Sequence, residues 1–426
     1  MEVDFISKET IKPSIQTPQH LKTFKLSSLD QFRPSHYIPL ILFYTPDSVD
    51  QIDKDHLKKS FSETLTRFYP LAGRIKDKNT WVDCTDEGVD YIEARIHGKI
   101  SDFTMTSNLL HKLVPVHTNS PTEVPAIVQV NLFDCGGAAI TVCISHKIGD
   151  TSTYTTFIDG WAATARGVAA DKLVCPTFDS QTLFPVDMAT DFTGYGSSDE
   201  EENENLVTKR LVFHESKVTA LRQRIAETQT TLKYPTRVEA VSALIWKSAM
   251  EAGSLPPNDQ KPEPVSWLRI IMNLRKKMDP PLGDSSFGNI FTPATAKSTI
   301  TCGGVELEEL VGRVRSAVKK IDCGYIKKMQ DGEDFDFDSD FEDDHDEDND
   351  YWLMSWCNFP LYEIDFGFGK PNWITTDAME VLDGNDIYLM DTRIGKGVEA
   401  WIKLEEKNMA KFLNNLDILE FASIFD

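Results

Sequence analysis

The stretch ITVCISHKIGD, residues 140–150, decides how the first half of the chain folds. It opens as an apolar, β-branched run, which is the composition of a buried strand, and it contains His146 with Asp150 four positions later. The run of residues 126–133 also predicts a strand, and Asp-Cys-Gly-Gly at residues 134–137 predicts a tight turn between the two. His146 is therefore expected at the end of a rigid hairpin strand.

A helix is predicted directly after this stretch, because Phe157, Trp161 and Ala165 recur at helical spacing. The stretch also contains the pattern HxxxD, in which the histidine is a candidate acid–base group. HxxxD alone is a weak motif, and a purely structural pair is its commoner explanation. A functional assignment needs a second signal elsewhere in the chain.

Length and composition predict a globular protein of two domains. The chain has 426 residues and is 41% hydrophobic, which fits folded domains and not a disordered chain. It has no run of about 18 apolar residues, so no membrane-spanning helix is predicted, and its N-terminus lacks the pattern of a signal peptide. The seven cysteines lack CxxC or metal-type spacing, which predicts reduced thiols in a cytoplasmic protein.

The net charge of −23 argues against nucleic acid or an anionic membrane as a partner. Residues 331–350 hold 13 Asp and Glu and no Lys or Arg, so this segment carries −13 and the remaining chain carries −10. We predict a solvated acidic surface loop there. An EF-hand frame runs from Asp336 to Glu347, but Phe341 stands where the sharp turn needs glycine. No metal site is therefore predicted.

Strands and helices are predicted along both halves of the chain. The predicted strands are residues 37–44, 81–84, 89–94, 206–213, 265–274 and 398–402, and the predicted helices are residues 56–68, 215–226, 306–319 and 405–413, with another after Thr236. Residues 81–84 and 89–94 are expected to pair around a turn at residues 86–88. The polar, acidic segment at residues 187–205 predicts a linker. It separates an N-terminal domain, residues 1–190, from a C-terminal domain, residues 206–426.

A second motif lies far downstream, where residues 362–371 read YEIDFGFGKP. HxxxD and DFGFG together, in this order and spacing, resemble the signatures HxxxD and DFGWG of the BAHD family of plant acyl-CoA-dependent acyltransferases. The string YPLAGR at residues 69–74 and an NxR…PP string at residues 273–281, followed by Gly288 and Asn289, also occur in that family. The resemblance spans nearly the whole chain.

The resemblance implies an α/β fold of two similar chloramphenicol-acetyltransferase-like domains. A solvent channel is expected between them, with His146 at its middle. In that family a late segment crosses back to the first domain, so about residues 365–389 are expected to join it. The protein is expected to be a monomer.

The resemblance assigns the transfer chemistry to His146. A single imidazole can take the proton of an attacking hydroxyl and then give it to the leaving thiolate, because its ordinary pKa of about 6.5 lies near neutral pH. Acyl-CoA and alcohol would then react directly in a ternary complex. Two roles stay open for Asp150: it orients the imidazole, or it turns away and pairs with Arg275, as in the family. We favour the second role.

The downstream motif is expected to support the coenzyme channel at a distance from His146. It consists of Asp365, Phe366, Gly367, Phe368 and Gly369. Phe368 stands where the family usually has Trp, so aromatic packing should survive while an indole N–H contact is lost. The two glycines fit a loop that needs positive φ or a close approach of the backbone.

Four further residues are candidates for binding: Thr236, Arg237, Asn289 and Trp373. Thr236 has the spacing of a capping box with Glu239, and the helix that begins there carries Arg237 at its positive end. In the family this helix start lies near the nucleotide of coenzyme A, although an ordinary capped helix explains Thr236 and Arg237 equally well. Asn289 and Trp373 are candidates for the polar lining of the site.

The N-terminal half is similar to acetyltransferases of indole alkaloid metabolism within the family. The similarity rests on TPQHLK at residues 17–22, LDQ at 29–31, ILFY at 41–44 and SHKI at 145–148. It implies acetyl-CoA as the co-substrate, no bound cofactor, and a hydroxyl of a monoterpenoid indole alkaloid as acceptor. Malonyl-CoA as donor and a terpenoid or aliphatic alcohol as acceptor stay open. A non-catalytic alkaloid-binding or scaffolding protein is the rival of another class, and the intact HxxxD pattern argues against it.

Overall fold

The computed structural model describes residues 2–45, 52–76, 80–104, 107–115, 123–186, 205–228, 234–253, 264–299, 304–332, 349–376 and 384–425. The chain divides into two compact units. The first unit comprises Met1–Asp199, Pro281–Ile290 and Phe359–Val381, and the second comprises Glu200–Pro280, Phe291–Asn358 and Leu382–Asp426. Both units are α/β bodies built on a large sheet.

The strands within the described ranges are β1 (Glu2–Ile11), β2 (Thr23–Lys25), β3 (Tyr37–Tyr44), β4 (Arg74–Lys76), β5 (Trp81–Asp83), β6 (Val89–His97), β7 (Ala126–Phe133), β8 (Ala138–Ser145), β9 (Leu206–Phe213), β10 (Val265–Asn273), β11 (Phe291–Thr299), β12 (Asp350–Ser355), β13 (Trp373–Thr375), β14 (Asn385–Asp391), β15 (Val398–Glu405) and β16 (Ser423–Phe425). The α-helices are α1 (Ser28–Gln31), α2 (Lys54–Arg67), α3 (Ile100–Thr104), α4 (Thr151–Ala165), α5 (Ser180–Leu183), α6 (Glu215–Thr228), α7 (Arg237–Gly253), α8 (Leu307–Lys320), α9 (Cys323–Gln330), α10 (Glu406–Leu413) and α11 (Leu416–Phe421).

The first unit contains a six-stranded sheet in the order β1-β6-β7-β8-β3-β13. Strands β7 and β8 form the predicted antiparallel hairpin, and Gly136 adopts a φ of 85° in its turn. The predicted helix follows as α4. Both predictions are confirmed. The two strands are mostly apolar and almost wholly buried, as expected where both faces of a sheet are covered. Strand β13, from the late part of the chain, pairs antiparallel with β3.

One predicted pairing in this unit is wrong. Strand β5 pairs with β2 and β4 in a separate three-stranded sheet, whereas β6 pairs with β1 and β7. The turn between β5 and β6 binds the N-terminal part of the chain, because the Asp86 carboxylate accepts hydrogen bonds from Thr17 N at 2.9 Å and from Lys22 Nζ at 3.1 Å. Strand β2, which follows Lys22, therefore pairs with β5 in the place predicted for β6. Strand β1 was not predicted, since it lacks an alternating apolar pattern.

Helix α4 is the central helix of the first unit, buried on most of its surface. Its Tyr154 hydroxyl donates to the Ile38 carbonyl oxygen at 2.8 Å and accepts from Ile144 N at 3.0 Å, which fixes the helix to β3 and β8. Its Trp161 ring packs against Phe61 of α2, with centroids 4.8 Å apart. The N-terminus of α4 is thereby held next to the end of β8, where His146 lies.

The second unit contains a seven-stranded sheet in the order β11-β10-β12-β14-β15-β9-β16. Strand β12 runs parallel to β10 and β14, and the other neighbours are antiparallel. Helix α7 is largely buried, and its Trp246 Nε1 donates to Ser266 Oγ of β10 at 2.9 Å. The strands and helices predicted for this half are confirmed to within a few residues at their ends.

The bounds of the two units differ from those predicted for the domains. Residues 281–290 fall in the first unit, and of the late segment predicted at about residues 365–389, the part from 382 onward falls in the second unit. Strand β14 explains the latter difference, because it pairs with β12 and β15 of the second sheet. Most of the predicted acidic linker and acidic loop, and the EF-hand frame, lie outside the described residues.

Three further properties hold for the part of the chain that the structure describes. No helix there is long and apolar enough to span a membrane. No cluster of three or more His, Cys, Asp or Glu side chains there could hold a metal ion. The six cysteines within these ranges are free thiols.

Candidate active site

His146 directly follows β8, in the predicted place at the end of the hairpin strand. Its backbone N–H donates to the His36 carbonyl oxygen at 2.8 Å, and its own carbonyl accepts from Asn289 Nδ2 at 2.8 Å. The ring Nδ1 lies 3.3 Å from the Gly149 carbonyl oxygen. A proton on Nδ1, donated to this carbonyl, leaves the lone pair on Nε2, which is the tautomer that a general base needs.

The surroundings of His146 favour its uncharged form. Burial lowers its pKa well below the ordinary value of 6.5, and the positive charge of Arg33, with that of His36 whenever His36 is protonated, lowers this pKa further. Burial also lowers the pKa of His36, to about 4. The His146 side chain keeps partial exposure to solvent, so the ring is desolvated by the protein packed around it and is still accessible to a reactant. At neutral pH it is a neutral imidazole that can accept a proton.

Asp150 forms the N-cap of α4. Its Oδ1 accepts from Thr153 N at 3.1 Å, and its Oδ2 accepts from Ile290 N at 3.0 Å. Gly149, just before it, allows this close turn, because a Cβ there would lie 2.6 Å from Thr153 Cγ2. These contacts give Asp150 a place in the backbone framework of the site. Arg275 lies in the second unit, and its predicted pairing with Asp150 stays a prediction.

Residues 288–290 connect the elements around His146. The Gly288 N–H donates to Thr153 Oγ1 at 3.1 Å, and Gly288 adopts a φ of 118° that favours glycine. Asn289 donates from its backbone N at 2.7 Å and from Nδ2 at 2.9 Å to the same Asp30 oxygen. Asn289 is fully buried, so it supports the site through the backbone of His146. A direct role in lining the site stays a prediction.

Asp30 is a site residue that sequence analysis missed. It is fully buried, and its second oxygen accepts from Ser27 N at 2.9 Å and from Ser27 Oγ at 2.6 Å. Burial raises the pKa of Asp30, and the hydrogen bonds from Ser27 and Asn289 oppose that rise. The Ser27-x-x-Asp30 spacing of a capping box was a usable local signal. Its contact with Asn289, 259 residues away, had no signal in the sequence.

Lys147, in the SHKI string, directly follows His146. Its Nζ donates to the carbonyl oxygens of Gln31, at 2.8 Å, and of Arg33. The side chain is only 5% exposed, and burial lowers its pKa to about 8. The lysine thereby satisfies carbonyl groups at the end of α1 and ties that segment to the His146 loop.

The downstream motif lies at the other end of α4. Asp365 Oδ1 accepts from the backbone N–H groups of Gly367 at 2.7 Å and Gly369 at 2.9 Å. Both glycines have positive φ, 104° and 103°, as predicted for this loop. Arg166, the C-cap of α4, donates to the Asp365 carbonyl oxygen. Since α4 has 15 residues, this loop is about 20 Å from Asp150 at 1.5 Å per residue.

Aromatic packing holds the same loop in place. Phe366 lies 4.8 Å from the Trp161 ring of α4, and Phe368 lies 5.0 Å from the Tyr44 ring, measured between centroids. Phe368 therefore keeps an aromatic contact at the position where Trp is usual, as predicted. Trp373 of β13 is buried and stacks on Phe43 at 5.0 Å, and its predicted role in lining the site stays a prediction.

The predicted capping box in the second unit is confirmed. Glu239 N donates to Thr236 Oγ1 at 3.1 Å, and Thr236 N donates to Glu239 Oε2 at 2.7 Å. The Arg237 guanidinium lies 2.5 Å from Asp391 Oδ1 and donates to Asn358 Oδ1 at 2.8 Å. A phosphate would therefore have to share Arg237 with a carboxylate, and the role of Thr236 and Arg237 in binding coenzyme A stays a prediction.

A family model described as the Transferase family matches residues 1–419 of this chain. The chain belongs to that family, the BAHD acyltransferases. It is therefore an acyltransferase, as the two motifs predicted. It is 40% identical to (13S,14R)-1,13-dihydroxy-N-methylcanadine 13-O-acetyltransferase of Papaver somniferum, over 97% of each chain. It is 38% identical to salutaridinol 7-O-acetyltransferase of the same plant, over 98% of each chain.

Two solved structures agree with the described fold. The crystal structure of vinorine synthase is similar with a TM-score of 0.84 and 32% identity, over 99% of each chain. A structure of F. graminearum TRI101 complexed with coenzyme A and deoxynivalenol has a TM-score of 0.76 at 16% identity, covering 94% of this chain and 99% of that one. The predicted fold class of two sheet-rich α/β domains is confirmed.

Proposed function

We propose that this protein transfers an acetyl group from acetyl-CoA to a hydroxyl group of an alkaloid, with His146 as general base and then general acid. Support comes from one observation above all. A partly accessible histidine, with a pKa lowered well below 6.5 and with Nδ1 lying 3.3 Å from a carbonyl oxygen, ends a rigid strand of an acyltransferase whose full-length relatives carry the names of O-acetyltransferases.

The reaction needs no covalent acyl-enzyme. His146 Nε2 takes the proton of the alcohol as its oxygen attacks the thioester carbonyl, so a C–O bond forms and the carbonyl oxygen becomes an oxyanion. Collapse of this intermediate breaks the C–S bond, and the imidazolium gives its proton to the thiolate. The products are the ester and free coenzyme A.

The lowered pKa of His146 assists both halves of this cycle. Above that pKa the imidazole is unprotonated and ready to act as base. Once protonated, an imidazolium with a lowered pKa is a stronger acid, so it returns its proton readily to the leaving thiolate. Desolvation thus makes the His146 imidazole a weaker base, but it keeps the imidazole unprotonated, as a base must be, over a wider pH range.

We infer a structural role for Asp150 in this reaction. Its contacts with Thr153 N and Ile290 N support this role, because they join the start of α4 to residues 288–290. The His146 carbonyl is held by Asn289 of the same segment. Asp150 would then set the position of His146 through the backbone, and Arg275 would balance its charge.

Acetyl-CoA and an alkaloid alcohol are the substrates that the relatives support best, since both P. somniferum relatives carry the name of an O-acetyltransferase. A monoterpenoid indole alkaloid is the finer proposal for the acceptor. Terpenoid alcohols and malonyl-CoA are the alternatives that the assay must include. The monomeric state and the cytoplasmic location are further proposals, for light scattering and cell fractionation to check.

The test is a transfer assay with purified protein. Radiolabelled acetyl-CoA and malonyl-CoA are offered with indole alkaloid, other alkaloid and terpenoid alcohols, and the esters are identified by mass spectrometry. We expect label to move from acetyl-CoA to alkaloid alcohols, with His146→Ala as the inactive control. Binding of an alkaloid in calorimetry, without transfer from any donor, would establish the non-catalytic rival instead.

A further inference from the structure

A second histidine faces His146, and the mechanism above does not use it. His36 lies in the segment of residues 32–36, between α1 and β3. Its ring centroid is 5.6 Å from that of His146, with the ring planes tilted by 50°. Both side chains are partly exposed, so the two rings lie side by side where the buried residues around His146 meet solvent.

The position of this ring is fixed by the backbone. The His146 N–H donates to the His36 carbonyl oxygen at 2.8 Å, and in the next step of the ladder Tyr37 pairs with Ser145. In the opposite direction, Lys147 Nζ donates to the Gln31 and Arg33 carbonyl oxygens. The two segments therefore hold each other at three points, and His36 cannot leave His146 without breaking them.

The charges around His146 show why a neutral ring fits here. Within the first unit the titratable or charged groups near it are His36 and Arg33 of the 32–36 segment, Lys147 and Asp150 of its own loop, and Asp30 of α1. The two carboxylates accept hydrogen bonds from Thr153, Ile290, Ser27 and Asn289. A positive charge on His36, added to those of Arg33 and Lys147, would oppose formation of the His146 imidazolium. An uncharged His36 ring instead fills the space beside His146 and excludes water.

We propose that His36 is a positioning residue of the transfer reaction, whose uncharged ring restricts the His146 imidazole to one orientation and shields one side of it from water. This inference rests on the proposed role of His146 as the base. Without the His36 ring, water enters beside His146 and solvates its cation. The imidazole then holds its proton to higher pH and has more freedom to turn.

The main experiment compares His36→Ala with His36→Phe, which restores an aromatic ring, and with His20→Ala, a control at an exposed histidine. For His36→Ala we expect kcat to fall about tenfold, a part of what an acid–base group contributes, and KM for acetyl-CoA to stay within about twofold. The acid limb of the pH profile of kcat/KM should move toward pH 6.5. His36→Phe should recover kcat to within about threefold.

A second measurement reads His146 without relying on turnover. In protein with isotope-labelled histidines, the His146 ring signal is identified by its loss in His146→Ala and is titrated by NMR. His36→Ala should raise its midpoint, and His36→Phe should keep it low. Should His36→Ala fail to fold, as judged by its Tm, His36→Gln takes its place in both measurements.

The outcomes separate this inference from the proposed function. If His36→Ala matches His20→Ala in kcat, pH profile and His146 titration, His36 has no positioning role. If it lowers kcat while the titration and the acid limb stay unchanged, its effect is general loosening and the inference is also wrong. If the titration moves as expected but His146→Ala remains active, the pairing of the rings holds and the proposed function fails.

Discussion

The two ends of helix α4 carry the two motifs of this protein, and they are built differently. At the N-terminal end, Asp150 and His146 are held by hydrogen bonds to Ile290 and Asn289, 140 and 143 residues away. At the C-terminal end, the Asp365 carboxylate accepts from N–H groups only two and four residues along the chain. One end is assembled by the tertiary fold, and the other closes on itself.

The two ends of α4 also differ in their ionisable groups. The His146 end gathers an imidazole pair, a lysine with a pKa lowered to about 8 and a fully buried aspartate. The Asp365 end consists of one carboxylate, two glycines and packed aromatic rings. Perturbed titratable groups gather where proton transfer takes place. The comparison therefore supports the proposed chemistry at the first end and the expected supporting role of the second.

The largest expected effect belongs to His146→Ala. Removal of a group that acts as both base and acid should lower kcat by at least about 100-fold, within the usual 10²–10⁴ range. Folding and the binding of coenzyme A should change little, because the surrounding hydrogen bonds use its backbone. Single-turnover kinetics and calorimetry with coenzyme A measure the two quantities. Turnover above about a hundredth of wild type would remove His146 from the mechanism.

The next effect tests whether Asp150 belongs to the framework or to the chemistry. Asp150→Asn keeps one oxygen that can cap α4, and it removes the negative charge together with one of the two acceptors for Thr153 N and Ile290 N. It and Arg275→Ala should each lower both activity and the free energy of unfolding, by about 3–5 kcal/mol if the pair is buried.

The double variant of Asp150 and Arg275 should be no worse than the worse single variant. Urea unfolding and kcat are measured for all three proteins. Additive losses would show that the two residues act independently. A loss of turnover in Asp150→Asn at unchanged Tm would give Asp150 the orienting role instead.

A smaller effect is expected at the far end of α4. Asp365→Ala removes the acceptor of two backbone N–H bonds, which should lower the free energy of unfolding by about 1–3 kcal/mol. The kcat of the folded fraction should stay within about threefold, because the loop is about 20 Å from Asp150. Asp365→Asn, which keeps an acceptor oxygen, is the matched control. An equal loss in both variants would mean that the negative charge matters, and a large fall in kcat at full stability would place chemistry at this end.

The smallest effect is expected for the acidic segment. Replacement of residues 333–348, which hold 11 Asp and Glu, by a short Gly-Ser linker should leave kcat within about twofold, since such composition does not build a core. The Tm of the intact protein should be the same in calcium and in EDTA. A calcium-dependent rise in Tm would reopen the EF-hand interpretation, and a large loss of activity would give this segment a role in the reaction.

Local pattern was enough to predict much of this fold. The β7–β8 hairpin, α4 and the glycines of the Asp365 loop were predicted because apolar runs, helical spacing and the demand for positive φ act within a few residues. The pairing of β5 was predicted wrongly, because strand partners depend on segments distant in sequence. In the turn after β5, Asp86 accepts hydrogen bonds from Thr17 and Lys22, which lie 69 and 64 residues away in the sequence.

The sequence by itself determined which residues carry the two motifs, and through them the family. Only the tertiary structure decided that Asp30 supports Asn289 and that His36 faces His146. It also decided that the pKa of His146 lies well below 6.5, because the pKa of an imidazole depends on the protein packed around it and not on its neighbours along the chain. The periodicity of apolar residues predicts which face of a helix or strand is buried, but it does not predict which distant segment of the chain covers that face.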